Sequence, residues 1–186
     1  MKWLLLLPFI FQAIVILIDE FYFHWKRGLP LWERIGHPID VCTLLLCFSW
    51  LANTSYSESN LLVFAGLATF SCIFVTKDEW VHWRVCDAGE QWIHSLLFIL
   101  QPAALISAGI IWAHQTPVGS TPTSLETAAG WLYPIIELQI GLQAAFLGYQ
   151  IVYWGFLRKS APRRNKGQTE ATKQPLAVKL PLSSAQ

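Results

Sequence analysis

Residues 78–114 read DEWVHWRVCDAGEQWIHSLLFILQPAALISAGIIWAH, and this stretch decides the fold. Its second part, Trp92–His114, contains no Asp, Glu, Lys or Arg. A helix needs about 20 mostly apolar residues to cross a bilayer, so Trp92–His114 reads as a membrane span. The first part places Asp78 four residues before His82, and Glu90 four residues before His94. On a helix that spacing sets the acid and the imidazole on one face, about one turn apart, where both can reach one metal ion.

Four further apolar segments have the same character as 92–114: Trp3–Ile18, Ile39–Ala52, Leu61–Thr76 and Trp131–Leu157. The second is short and extends back through Gly36-His37-Pro38. The chain is 54% hydrophobic and 13% charged, whereas a soluble domain carries about 25% charged residues. An all-α fold is predicted, a polytopic membrane helical bundle of five transmembrane helices occupying residues 1–157. Lys2 precedes the first apolar run as in a secretory leader, but no small-x-small cleavage site follows and Asp19-Glu20-Phe21 is a poor one. The first segment therefore reads as a retained anchor helix.

Basic residues set the expected topology. Lys26, Arg27 and Arg34 follow the first span, Lys77 and Arg84 follow the third, and segments 53–60 and 115–130 have none. Because basic loops stay cytoplasmic, loops 19–38 and 77–91 and the tail are placed inside and the N-terminus outside, with Lys2 opposing. The tail 158–186 carries Arg158, Lys159, Arg163, Arg164, Lys166 and Lys173 among Ser, Pro, Gln and Thr. It buries too little apolar surface to offset its ordering entropy; a disordered basic cytoplasmic tail is expected, lying on anionic lipid headgroups. The four cysteines form no C-x-x-C pair and no disulfide framework. Cys42, Cys47 and Cys72 read as small packing residues in apolar spans, and Cys86 falls in a cytoplasmic loop. No nucleic-acid partner is expected.

The acid–histidine spacing recurs. Four of five histidines follow a carboxylate by four residues: Glu20–His24, Glu33–His37, Asp78–His82 and Glu90–His94. With 12 acids in 186 residues, chance supplies roughly 0.3 such pairs at this one-turn spacing, so the excess requires a cause. The pairs fall in two similar stretches, 19–40 and 78–94, each with an acidic pair, a His-Trp-basic triplet and a later acid-x-x-x-His. Spans 1–2 and 3–4 then form two pseudo-repeated helical hairpins, with a fifth helix added, and the two stretches face the same side. Duplicated halves enclosing a site at their interface are a recurrent membrane architecture.

Imidazole suits iron, zinc, copper and nickel, and carboxylates add hard oxygen donors that can bridge two ions. The predicted metal ligands are Glu20, His24, Glu33, His37, Asp78, His82, Glu90 and His94, with Asp19, Asp40 and Glu79 as second choices. That is more than one tetrahedral zinc requires, so two divalent metal ions are expected, iron first and zinc as the alternative. Di-iron helical bundles use Glu-x-x-His; the spacing here is one residue longer, and their ligand assignments do not transfer. Asp40 shares the face of Glu33 and His37 only if Pro38 is tolerated in a first helical turn. Glu137, the one charge in the fifth span, either joins the site or lies near the exoplasmic surface. The plain alternative is charge compensation at a membrane surface, pairing Lys26, Arg27, Arg34, Lys77 and Arg84 with the acids. Trp25, Trp32, Trp80, Trp83 and Trp92 fall where an aromatic belt sits.

A site of this kind at the cytoplasmic interface meets a membrane lipid or another amphiphile. With iron it predicts a metal-dependent hydroxylase- or desaturase-like oxygenase served by an electron donor. The His-x-x-x-His and His-x-x-His-His boxes of histidine-rich membrane oxygenases are absent. The alternatives are a zinc-dependent membrane lipid amide or ester hydrolase, in which metal-bound water is the nucleophile, and a non-enzymatic transporter or assembly component with interfacial ion pairs.

Overall fold

The structure, a computed structural model, describes residues 2–114 and 132–158. The connection 115–131 and the tail 159–186, with its expected disorder and lipid contacts, lie outside the described residues. Five helices are long and apolar enough to cross a membrane: α1 Trp3–Arg27, α2 Leu31–Asn53, α3 Glu58–Arg84, α4 Ala88–Ala113 and α5 Pro134–Leu157. At 23 to 27 residues each and 1.5 Å rise, they measure roughly 35–40 Å. That exceeds the ~30 Å hydrocarbon thickness, so polar ends are long enough to protrude.

The helices run further than the apolar pattern indicates. Segments 19–38 and 77–91, expected as loops, are helical except for short turns at Gly28-Leu29-Pro30 and Cys86-Asp87. Helix continues because acids of these segments, Asp19, Glu33 and Glu90, find partners inside the bundle, leaving no need for a hydrated loop. α1 stops at Gly28, whose φ of 77° is open to glycine and strained for other residues. Pro30 then caps α2 with extended backbone. Pro38 lies in the interior of α2 and not in its first turn. The helix tolerates it even though Pro38 donates no N–H to the Arg34 carbonyl, and Glu33, His37 and Asp40 all ride on α2. At the other end of the bundle the Ser57 hydroxyl accepts the Asn60 N–H at 3.2 Å and starts α3.

Packing does not follow the expected hairpins. α1 packs chiefly on α4, and α2 packs on α5 and α3. The apolar core gathers at the end away from the histidines, around Phe9, Phe48, Leu51, Phe64, Ile111 and Trp112. There Trp112 Nε1 donates to the Thr54 carbonyl at 2.7 Å, tying α4 to the α2–α3 turn. Gly109 lets α4 approach α3, since a Cβ at that position would stand 3.0 Å from the Phe64 ring. Midway along the bundle Thr43 and Ser71 share a 2.8 Å hydrogen bond, and Gln101 Nε2 donates to Ser71 Oγ at 3.0 Å. The termini meeting at the opposite end carry the candidate site.

Candidate metal centre

Helix ends explain where the acids lie. Glu33 and Glu90 occupy the first turns of α2 and α4, where the positive end of the helix dipole favours a carboxylate. His24 and His82 approach from the C-terminal ends of α1 and α3. Residues 19–24 of α1 form a π-helical turn. Its i→i+5 pattern widens the turn, as at many functional sites, so that His24 faces residues both four and five positions back. His24 Nδ1 lies 3.3 Å from Glu20 Oε2, and its Nε2 lies 3.3 Å from Asp19 Oδ2. Asp19, ranked behind Glu20 on sequence spacing, thereby enters the cluster.

The four histidines close into a ring. Ring centroids lie 4.9 Å apart for His24–His37, 6.5 Å for His37–His82, 3.9 Å for His82–His94 and 6.2 Å for His94–His24. Four different helices supply them. Asp19 bridges α1 to α4 through His94 Nε2 at 3.1 Å. Buried nitrogens without hydrogen-bond partners include Nε2 of His24, Nε2 of His37, both nitrogens of His82 and Nδ1 of His94. Buried polar atoms are normally paired. Each neutral imidazole carries one lone-pair nitrogen, and several converging without a donor is an arrangement a cation can satisfy.

Donor sets can be read from the same geometry. Three groups have ligand atoms all within 4.8 Å of one another: His82, Cys86 and His94; Asp19, His24, Glu90 and His94; and His24, Glu33 and His37. The first and third share no residue, so two clusters able to chelate a divalent ion stand side by side, with Asp19 and Glu90 between them. The predicted Glu20, His24, Glu33, His37, His82, Glu90 and His94 thus come together, and second-choice Asp19 joins them. The side chain of Asp78 lies outside the described residues. Glu79 is exposed. Asp40 is held by Lys77 Nζ at 2.6 Å and borders the same cavity as the histidines. Glu137 is exposed in the first turn of α5, at the other end of the bundle.

Three further features mark the site, of which only the pairing of Arg27 with acids is foreshadowed by the sequence, as surface charge compensation. Arg27 is the first: its Nη2 lies 2.7 Å from both Glu33 Oε2 and Glu90 Oε1, bidentate geometry that a lysine does not reproduce. Charge compensation is therefore part of this site. Among the described residues, the buried carboxylates of Asp19, Glu20, Glu33 and Glu90 surround the single guanidinium of Arg27. Arg27 pairs with Glu33 and Glu90, while Asp19 and Glu20 face His24 at 3.3 Å.

Cys86 is the second. It is 1% exposed, burial pushes its thiol up, and it sits one helical turn after His82, the spacing already used for the acid–histidine pairs. Third, Glu20 is held from α5, accepting from Tyr149 Oη at 2.9 Å and from Trp154 Nε1 at 2.5 Å. A second π-helical turn, 151–157, carries Trp154.

A cavity of about 100 Å³ runs from the cluster into the bundle. One wall is His24, His37, His82 and His94, and the rest of the lining mixes apolar side chains such as Val41, Leu44, Leu97 and Phe146 with the amides of Gln12, Gln101 and Gln150. Trp80, Trp83 and Trp92 stand exposed around this end. No family model, curated protein or solved structure matches the chain. Fold and site together define a five-helix bundle with long apolar helices and clustered His, Asp, Glu and Cys side chains capable of chelating metal ions.

Proposed function

We propose that the protein is an integral membrane enzyme with a dinuclear metal centre, iron by preference, that oxidises a lipid or other amphiphile at the cytoplasmic interface with an electron donor and oxygen. The observation that carries this reading is the convergence of four histidines with the buried carboxylates of Asp19, Glu33 and Glu90 into donor sets whose ligand atoms lie within 4.8 Å of one another. Buried carboxylates are costly unless compensated, and divalent cations would compensate them while taking up imidazole lone pairs. Carboxylate-rich sets with imidazole suit iron. The small cavity beside the histidines, with Leu44, Leu97 and Phe146 in its lining, favours a few methylene groups over a headgroup as the reacting part. The bundle is oriented with its N-terminus outside and C-terminus inside, the exposed Trp80, Trp83 and Trp92 lying in the headgroup layer.

Metal content by mass spectrometry on detergent-purified protein tests this, with His37→Ala and His94→Ala beside wild type. Two metal ions per chain that include iron, diminished in both variants, support the oxygenase and justify a search for an oxidised lipid. One zinc per chain and no iron selects the hydrolase, where metal-bound water with its pKa lowered to about 7 is the nucleophile. Folded wild type without metal overturns both and leaves a non-enzymatic role.

A further inference from the structure

We infer that the centre is chemically unsymmetric: Cys86, as thiolate, joins His82 and His94 to form a thiophilic subsite that takes Zn²⁺ or a similar ion, distinct from the harder His24–Glu33–His37 subsite. The inference rests on the proposed metal-binding reading and deepens it. Nothing in the composition requires a sulfur ligand, because oxygen and nitrogen donors already abound around the histidines.

Four observations place it there. The Cys86 sulfur, one nitrogen of His82 and one of His94 lie within 4.8 Å of one another. His82 is 4% exposed and both its ring nitrogens lack hydrogen-bond partners, as does Nδ1 of the 3%-exposed His94. His94 Nε2 is directed to Asp19 at 3.1 Å, so Nδ1 is the nitrogen left for the sulfur side. His24, Glu33 and His37 complete a second donor set without using any of these three residues.

Ligand chemistry then separates the ions. Two imidazoles and a thiolate match the donors of tetrahedral zinc sites that keep one position for water. Imidazole with carboxylate suits iron. Binding at the first subsite breaks the Cys86 S–H bond: the electron pair stays on sulfur and forms the metal–sulfur bond. The proton leaves through Glu90, with which the thiol hydrogen-bonds, to water. No oxidation state changes.

Cobalt reports on this directly, because Co²⁺ bound to thiolate gives an intense near-ultraviolet charge-transfer band that carboxylate and imidazole do not produce. Full-length protein in detergent is stripped of metal and titrated anaerobically with Co²⁺. The band is expected with the first equivalent, and Zn²⁺ added beforehand is expected to suppress it. Cys86→Ser should lose the band yet still bind one equivalent, whereas a Cys42→Ser, Cys47→Ser, Cys72→Ser triple variant should keep it. If Cys86→Ser does not fold, the triple variant decides: band retained supports the assignment, band lost overturns it. Cobalt bound by wild type with no thiolate band, or a band that survives Cys86→Ser, also overturns it and leaves the dinuclear reading standing. Wild type that binds no cobalt sinks both.

Discussion

Arg27 and Glu90, 63 positions apart, meet at 2.7 Å, and the same guanidinium holds Glu33. The contact closes the α1–α2 turn over the start of α4 and sets the geometry of both acids. Truncating one partner of a buried ion pair costs about 3–5 kcal/mol, because the other is left uncompensated. Arg27→Ala should therefore destabilise metal-free protein by about that amount. Divalent metal should restore part of the loss by supplying the missing positive charge. Thermal unfolding in detergent with and without metal reads this out, and equal losses in both conditions would remove the electrostatic account.

Glu20 touches His24 Nδ1 and is gripped from α5 by Tyr149 and Trp154. A carboxylate on the far nitrogen of a ligating imidazole fixes its orientation, and its loss typically weakens metal binding 10–100-fold. Glu20→Gln should fall in that range, and Tyr149→Phe should weaken binding less, since Trp154 still holds the carboxylate. Competition titration against a chelator of known affinity measures both. Full affinity in Glu20→Gln would make Glu20 a structural acid only.

Much of this site could be read along the chain, because its strongest signal is local. Four residues on a helix is one turn whatever the tertiary fold, so Glu20–His24, Glu33–His37 and Glu90–His94 were legible as pairs, and the basic residues beside them showed that they share one end. Arg27 gave no such signal: its value depends on α4 lying across the α1–α2 turn, which only packing decides. Asp19 needed the π-helical turn, which the sequence does not announce. Cys86 was legible in principle, at i+4 from His82, but a search confined to acids passes over it. Helix ends were misplaced for a related reason. The apolar runs stop where charge begins, whereas the helices continue because those charges are paired inside the bundle.

Gly28 carries the turn that brings Arg27 back over Glu33. Its φ of 77° with ψ of 153° lies in a region essentially reserved for glycine, where other residues cost about 1–3 kcal/mol. Gly28→Ala should lower stability by that amount and also weaken metal binding, because Arg27 and Glu33 flank the turn. Gly109→Ala makes the comparison: a Cβ 3.0 Å from the Phe64 ring costs about 1–3 kcal/mol of overpacking at the far end of the bundle. Metal affinity should survive in Gly109→Ala and drop in Gly28→Ala; equal affinities would mean that the turn does not position the site.

A cavity of about 100 Å³ borders the histidine ring, with Leu97 in its lining, and is the route by which a small ligand would reach metal held there. A water occupies about 30 Å³ of liquid, so the space admits a small ligand or a few methylene groups, not a lipid headgroup. Azide, a compact ligand that binds open metal positions, should bind metal-loaded wild type and shift its electronic spectrum. Leu97→Trp should fill the cavity and weaken azide binding at least tenfold, with metal content unchanged, since Leu97 offers no donor atom. Tryptophan at that position also adds bulk at a packed site, at a cost of about 1–3 kcal/mol, so the comparison is made at a temperature where both proteins remain folded. Azide binding with wild-type affinity in Leu97→Trp would place the open coordination position on another side of the ring, and the cavity would then lose its role in receiving the substrate chain.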